Sequence, residues 1–424
     1  MSQGSCEKRA LPWGILLGAA AGGIATWMLR ERRERARAPR IDPERLREAM
    51  PEREAKAVAY TRIRYATFFL EEALGLGLLL AMQRQGRPLR LREWAERHTA
   101  SPGLRDALFT SSLLTLSSVI TLPFSFVSGH LVERAFGLSR QSALSWMADA
   151  AKGLAISLGI AVPATAGLYA IIRRSPQGWW LWGAGASSLL TVALTHIAPV
   201  VIDPLFFRYR PLRDQALRER LVDLARRAGV PVVGVFEAEY SRKTTKANAY
   251  LTGVGSTRRI VLTDTLLQGY THDEIAVVLA HELGHHHFGH LRAGIVLGGV
   301  GTLVGFAIAD GVLTRAGSRP GYTGKGDIAT LPSLALFLGL ASTVLMPAGN
   351  ALSRVWERQC DRFALGMTGQ PDAFIGVMRK LAAQNLADPA PSALIEALLY
   401  DHPSIGNRIL MALRWETQRA EHPK

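Results

Sequence analysis

The apolar residues of this chain fall in long runs, separated by segments dense in Arg, Glu and Asp. Leu11 to Leu29 holds nineteen residues without a charge. As a helix such a run covers about 28 Å, enough to cross a hydrocarbon core of about 30 Å. Further runs are Tyr65 to Met82, Leu108 to Val127, Ala151 to Ile172, Trp179 to Ile202, Ala293 to Val312 and Leu331 to Leu352. Core helices of soluble proteins rarely stay apolar for so long, so the pattern predicts seven membrane spans. Glu71 and Glu72 lie inside the second run, and acids at that depth face protein or a water-filled cavity, so an aqueous interior is expected. The first run is longer than a signal-peptide core and is followed by Arg30-Glu31-Arg32-Arg33 with no small-residue cleavage site, so it is expected to stay attached.

Two blocks remain polar, Asp203 to His290 and Ser353 to Lys424. In the first, Arg213 to Ala228 has helical periodicity, while Val232 to Glu237, Ala247 to Leu251 and Arg259 to Thr263 read as short strands. The second block reads as helical. The expected organisation is an N-terminal anchor and basic arm (1–62), four spans (63–202), a first soluble part (203–292), two spans (293–352) and a second soluble part (353–424). The fold class is therefore mainly α: a multi-pass membrane protein carrying a small α+β domain.

Composition sharpens this picture. Hydrophobic residues make up 48% of the chain and charged residues only 20%, as a membrane protein requires. The net charge of +15 follows the predicted topology. With the N-terminus outside, Arg30 to Arg64 lies in the cytoplasm with twelve Lys and Arg, against six in Gln83 to Ala107 on the other face. Both polar blocks then fall inside as well. Basic and aromatic residues do not interleave as in an RNA-binding surface, so no nucleic-acid partner is expected. With Cys6 and Cys360 as the only cysteines, neither a disulfide framework nor a Cys-based zinc site is expected.

The candidate chemistry sits at His281-Glu282-Leu283-Gly284-His285. On a helix, residues four apart share a face, so His281 and His285 offer two imidazoles to one zinc with Glu282 beside it, the HExxH arrangement of a zinc peptidase. Asp273 and Glu274 favour a helix start, and Ile275, Val277, Val278, Leu279 and Leu283 give it an apolar face. His286, His287 and His290 are expected on a helix face or interface, not as ligands. A catalytic zinc needs a third protein ligand, for which Glu357 is the candidate. Asp361, one turn further on, would accept a hydrogen bond from a ligand imidazole and fix its tautomer.

Several ordered blocks accompany these residues: Leu122-Pro123-Phe124-Ser125-Phe126 leading to Glu133-Arg134-Ala135-Phe136-Gly137; Pro204-Leu205-Phe206 with Pro211-Leu212; Asn248-Ala249-Tyr250; Ile260 to Leu267; and His402-Pro403 with Arg408. With them the chain resembles the integral-membrane zinc endopeptidases of the CAAX prenyl protease 1 type, from about Leu122 to Arg408. The resemblance implies a gluzincin domain capping a seven-span helical barrel with an internal chamber. It implies one zinc per chain on His281, His285 and Glu357, with Glu282 as general base. Asn248, Ala249 and Tyr250 would bind substrate backbone, and His402 and Arg408 would act near the scissile carbonyl. Cys360 stands where that family usually carries a small residue.

Ala247 to Leu251 also reads as an edge strand beside the cleft, to which an extended peptide could add. The expected partners are a peptide or protein substrate and the lipid bilayer, with the chain a monomer. The Arg and Ala bias points to a bacterial inner membrane, with the protease domain and C-terminus cytoplasmic. Two alternatives stay open: a quality-control protease for membrane proteins, and a non-catalytic seven-span protein with structural zinc. Glu282 argues against the second, since a closed structural site needs no base.

Overall fold

The computed structural model describes residues 41–253 and 258–421. By contact the described residues form two units, 49–412 and 41–48 with 413–421. Within the chain-end unit, Arg45 Nη2 lies 3.4 Å from Glu416 Oε2, and Arg419 stacks over Trp415.

Residues 49–412 begin with α1 (Ala55–Arg84), a short α2 (Arg87–His98), α3 (Pro102–Phe126), α4 (Ala143–Arg174) and α5 (Trp179–Ile197). Among the described residues six helices are long and apolar enough to cross a membrane, and they contain six of the seven predicted runs. The seventh, Leu11 to Leu29, lies outside the described residues. The helix signals are local. Pro102 opens α3, where its missing N–H costs nothing, and Ser142 Oγ caps α4 by accepting from Ser145 N at 3.2 Å. Pro123 and Pro163 fall inside α3 and α4 without ending them, as membrane helices allow. Both α3 and α5 leave their apolar stretch through a π-helical turn, at Val127–Leu131 and Ala198–Ile202.

The helix and strands expected between residues 203 and 292 follow, Arg259–Thr263 with its bounds unchanged and the others shifted by one to three residues. Strand β1 (Tyr209–Pro211) precedes α6 (Gln215–Arg227), β2 (Val235–Ala238), β3 (Ala249–Thr252) and β4 (Arg259–Thr263). The sheet order is β1-β2-β4-β3. β4 runs parallel to β2 and antiparallel to β3, with Tyr250 opposite Val261, so β3 is an edge strand. Strand β1 went unread because three residues around a proline carry no periodicity. Helix α7 (His272–His287) follows, then α8 (His290–Gly317), α9 (Leu331–Thr368), α10 (Pro371–Asn385), α11 (Ala393–Leu399) and α12 (Ile405–Glu421). Helix α9 is thus both span and site: it starts at the sixth apolar run of the described chain and continues through Glu357 and Asp361 until Gly369, at φ 65°, stops it.

Outward faces of the long helices are apolar and uncovered. Leu189, Val296 and Val344 are 71%, 64% and 76% exposed, which water would penalise and lipid does not. Inside, Phe109, Tyr169, Trp179, Phe306 and Leu313 pack together where α3, α4, α5 and α8 meet.

Candidate metal centre

The helix carrying HExxH is anchored before it reaches the site. Thr271 Oγ1 accepts from Glu274 N at 3.3 Å while Glu274 Oε2 accepts from Thr271 N at 2.7 Å, a reciprocal cap. Lys380 Nζ also donates to that carboxylate, at 2.7 Å. Ile275, Val277, Leu279, Ala280 and Leu283 are buried, so the opposite rows, with His281 and His285, are turned to α9. Gly284 sets the spacing of the two helices. A Cβ there would lie 3.0 Å from Cys360 Cα and 3.1 Å from its Sγ, so any larger residue would push α7 and α9 apart by a few tenths of an ångström. That approach carries Glu357 to the histidines.

The three expected ligands converge. One donor atom from each of His281, His285 and Glu357 lies within 4.8 Å of the other two. Glu357 Oε2 is 3.1 Å from His281 Nε2, and its Oε1 is 3.2 Å from His285 Nε2. The carboxylate is buried, and Oε2 has no hydrogen-bond partner. A buried carboxylate oxygen without a donor is costly unless a cation compensates it. The set of two imidazoles and one carboxylate suits zinc, with one position left for water or substrate. The residues therefore fit the metal.

Behind the ligands, Asp361 is fully buried, and His281 Nδ1–H donates to its Oδ1 at 2.8 Å, which leaves Nε2 bare toward the centre. Arg408 lies on the same carboxylate, its Nε donating to Oδ2 at 2.9 Å and its Nη2 to Oδ1 at 2.5 Å. The resemblance expects Arg408 near the scissile carbonyl. Its Nε and Nη2 face Asp361 at the back of His281, with Nη2 also 3.3 Å from His281 Nδ1, and the bidentate pair holds the carboxylate in place. Burial disfavours a charged His281 ring, but the carboxylates of Asp361 and Glu357 outweigh it and lift the pKa to about 9.

Glu282 is turned into the same space. Burial, helped by the charge of Glu357, raises its carboxyl above the usual range, against the pull of the neighbouring imidazoles. His402 comes from the loop before α12: its Nε2 is 3.3 Å from Glu357 Oε2, and its Nδ1–H donates to Asp401 Oδ1 at 2.9 Å. Burial opposes charge on this ring, but Asp401 and Glu357 prevail and raise its pKa. Asp401 was missed in the sequence, although an acid directly before a candidate histidine was a readable signal.

The expected substrate segment lies on β3, which packs against α7. Asn248 is exposed just before the strand, its Oδ1 accepting from Ala249 N at 2.9 Å. Ala249 is buried, and the Tyr250 hydroxyl meets that of Tyr209 at 3.0 Å, half-buried. The structure thus brings His281, Glu282, His285, Glu357, Asp361, His402 and Arg408 together and leaves Asn248 at the sheet edge.

Comparison with known proteins gives a consistent picture. Residues 211–416 match peptidase family M48, and residues 32–208 match the CAAX prenyl protease N-terminal family with five membrane helices. The uncharacterized metalloprotease YhfN of Bacillus subtilis is 30% identical over 376 residues, covering 88% of both chains. The probable CAAX prenyl protease 1 of Schizosaccharomyces pombe is 27% identical, covering 94% of this chain and 88% of that one. The crystal structure of Saccharomyces mikatae Ste24p superposes with a TM-score of 0.78 at 23% identity, over 95% of this chain and 99% of that chain, so the fold is shared.

Proposed function

The chain belongs to peptidase family M48 and is an integral membrane protein, and from that premise we propose that it is a zinc endopeptidase with one zinc held by His281, His285 and Glu357. The observation that carries this reading is the convergence of one donor atom from each of those three side chains, with Glu357 Oε2 buried and without a hydrogen-bond donor. When bound, zinc supplies Lewis-acid polarisation of the scissile carbonyl and lowers the pKa of water to about 7.

The chain's own residues do the rest. Glu282 takes a proton from the attacking water and delivers it to the leaving amine, a role suited to a carboxyl whose pKa burial has raised. Asp401 holds Nδ1–H of His402 and leaves its Nε2 side to stabilise the developing oxyanion. Asp361 and Arg408 act as positioning residues that hold the His281 ring. An extended peptide adds to edge strand β3, with the Asn248 amide pairing to its backbone. Backbone pairing tolerates many side chains. The basic segments favour a cytoplasmic catalytic domain in a bacterial inner membrane.

The test uses purified full-length protein with farnesylated and plain versions of one peptide, and product mapping. Cleavage at one internal bond in both, lost by about 100-fold or more in Glu282→Gln with zinc retained, is the expected result. Cleavage of the farnesylated version alone would narrow the substrate to prenylated C-termini. Undiminished cleavage by Glu282→Gln would end the peptidase reading. Asn248→Ala should mainly raise KM, whereas His402→Ala should mainly lower kcat.

A further inference from the structure

His281 has its carboxylate, Asp361, but the second histidine ligand has no acid behind it. Instead, His285 Nδ1 lies 3.2 Å from Nδ1 of His290, and His290 Nε2 lies 3.0 Å from Gln359 Oε1. His290 is 5% exposed, stacked flat on Trp356 with ring centroids 4.9 Å apart and 9° between planes. Cys360 Sγ, a weak donor, is 3.7 Å from the same Nδ1. Gly289 makes this possible: at φ 71° it turns the chain between α7 and α8, so that His290 folds back against His285.

We propose that His290 is a positioning residue for the metal centre, accepting the Nδ1 proton of His285 and thereby fixing that ligand's tautomer and ring plane. This inference rests on the zinc-peptidase reading above. Two facing ring nitrogens can share a hydrogen bond only if one carries the proton and the other a lone pair. His285 must present bare Nε2 to the cation, so its proton is on Nδ1 and His285 is the donor. His290 Nδ1 is then the acceptor, which puts the His290 proton on Nε2. There it meets an amide oxygen, the acceptor such a tautomer needs. The chain of bonds is consistent at every step: His285 Nδ1–H to His290 Nδ1, and His290 Nε2–H to Gln359 Oε1.

Both histidine ligands are therefore oriented from α9, by different chemistry. Asp361 reaches His281 directly, and Gln359 reaches His285 through His290. A neutral relay leaves His285 a less basic ligand than a carboxylate partner would, and adds no negative charge to a centre already holding Glu282, Glu357 and Asp361. Trp356 and Gln359 face His290 from one side of α9, while Glu357 and Asp361 face the ligands from the other.

The test contrasts His290→Phe with His290→Asn in the full-length protein. Phe keeps a ring on Trp356 but offers no acceptor, whereas the Asn side-chain oxygen stands near the place of Nδ1. Zinc affinity is read by chelator competition, and ligand geometry by the visible spectrum of the Co(II)-substituted protein. The expected result is about 10–100-fold weaker zinc binding and an altered Co(II) spectrum in His290→Phe, with His290→Asn within a few-fold of the parent. Gln359→Leu should fall between them. Equal zinc affinity and an unchanged spectrum in His290→Phe would overturn the proposal. So would two zinc ions per parent chain falling to one in His290→Phe, since His285, His290 and Cys360 would then be ligands themselves. A parent that binds no zinc would instead overturn the peptidase reading, so the two failures are distinct.

Discussion

The two ends of the helical bundle both bury charges, but they balance them differently. At the end away from the soluble domain, each acid has its own base. Arg92 Nη1 donates to Asp327 Oδ2 at 2.5 Å, Arg173 Nη2 to Asp106 Oδ2 at 2.6 Å, and Lys325 Nζ to Asp310 Oδ1 at 2.7 Å. Trp179 Nε1–H also donates to Asp310. At the other end Asp361 pairs with Arg408, while Glu357 faces the imidazoles of His281, His285 and His402. The first end sets its acids against Arg and Lys, with Asp106 Oδ1 and Arg92 Nε left without hydrogen-bond partners, while the second sets its acids largely against imidazoles, an arrangement that a divalent cation would balance. Buried acids set against permanent cations thus read as structural, and buried acids set against several imidazoles as a candidate cation site.

The strongest test of this contrast removes an acid from each end. Glu357→Ala should abolish tight zinc binding, seen by metal analysis, and with it peptidase turnover. In zinc-free protein its cost in stability should be smaller than that of losing an acid paired with arginine, because the His281 and His402 rings that face it can release their protons once it is gone. Asp327→Ala should do the reverse. It leaves buried Arg92 with only the Gly321 carbonyl and a half-exposed Glu96 at 3.6 Å, and strips the cap at which Asp327 Oδ1 accepts from Ala329 N. Breaking such a buried pair costs about 3–5 kcal/mol. A marked drop in Tm with parent zinc affinity is expected; lost zinc in Asp327→Ala at unchanged Tm would erase the distinction.

A smaller effect is expected for Asp361→Asn. The amide oxygen can still accept from His281 Nδ1–H, but the negative charge that pairs with Arg408 is gone. Zinc affinity should fall about 10–100-fold, measured by competition with a chelator. Retention of full affinity would show that the hydrogen bond to His281 suffices and that the carboxylate charge paired with Arg408 does not set zinc affinity.

Much of this was legible in the sequence because it depends on local pattern. Six spans, α6, β2, β3, β4 and the site helix follow from periodicity, and His281 with His285 from a four-residue step. Glu357 and Asp361 required the inference that zinc needs a third ligand. What escaped depends on packing between distant segments. The turn of Arg408 onto Asp361, the reach of Asp401 to His402 and the burial of His290 against Trp356 are set by how α7, α8, α9 and the start of α12 meet. The pairs Arg92–Asp327 and Arg173–Asp106 span 235 and 67 residues, and no local pattern announces them.

The finest comparison uses two glycines, one at each end. At Gly317 an added Cβ would fall 2.3 Å from the backbone carbon of Gly324, and backbone at a tight loop cannot step aside. At Gly284 the nearest atoms are Cys360 Cα at 3.0 Å and Sγ at 3.1 Å, so a shift of a few tenths of an ångström suffices. Gly317→Ala should therefore lower Tm more, overpacking costing about 1–3 kcal/mol, while leaving zinc binding alone. Gly284→Ala should cost less stability yet touch the chemistry, because the helix it pushes carries Glu357. Zinc binding weakened by a few-fold is the expected result. Adding Cys360→Ala should return part of it, since removing Sγ frees one of the three contacts while the Cα and Cβ remain. Full restoration would place the whole strain in the thiol, and no restoration would place it in the helix backbone. Either way, unaltered zinc affinity in Gly284→Ala would mean that the spacing of α7 and α9 does not set the position of the third ligand.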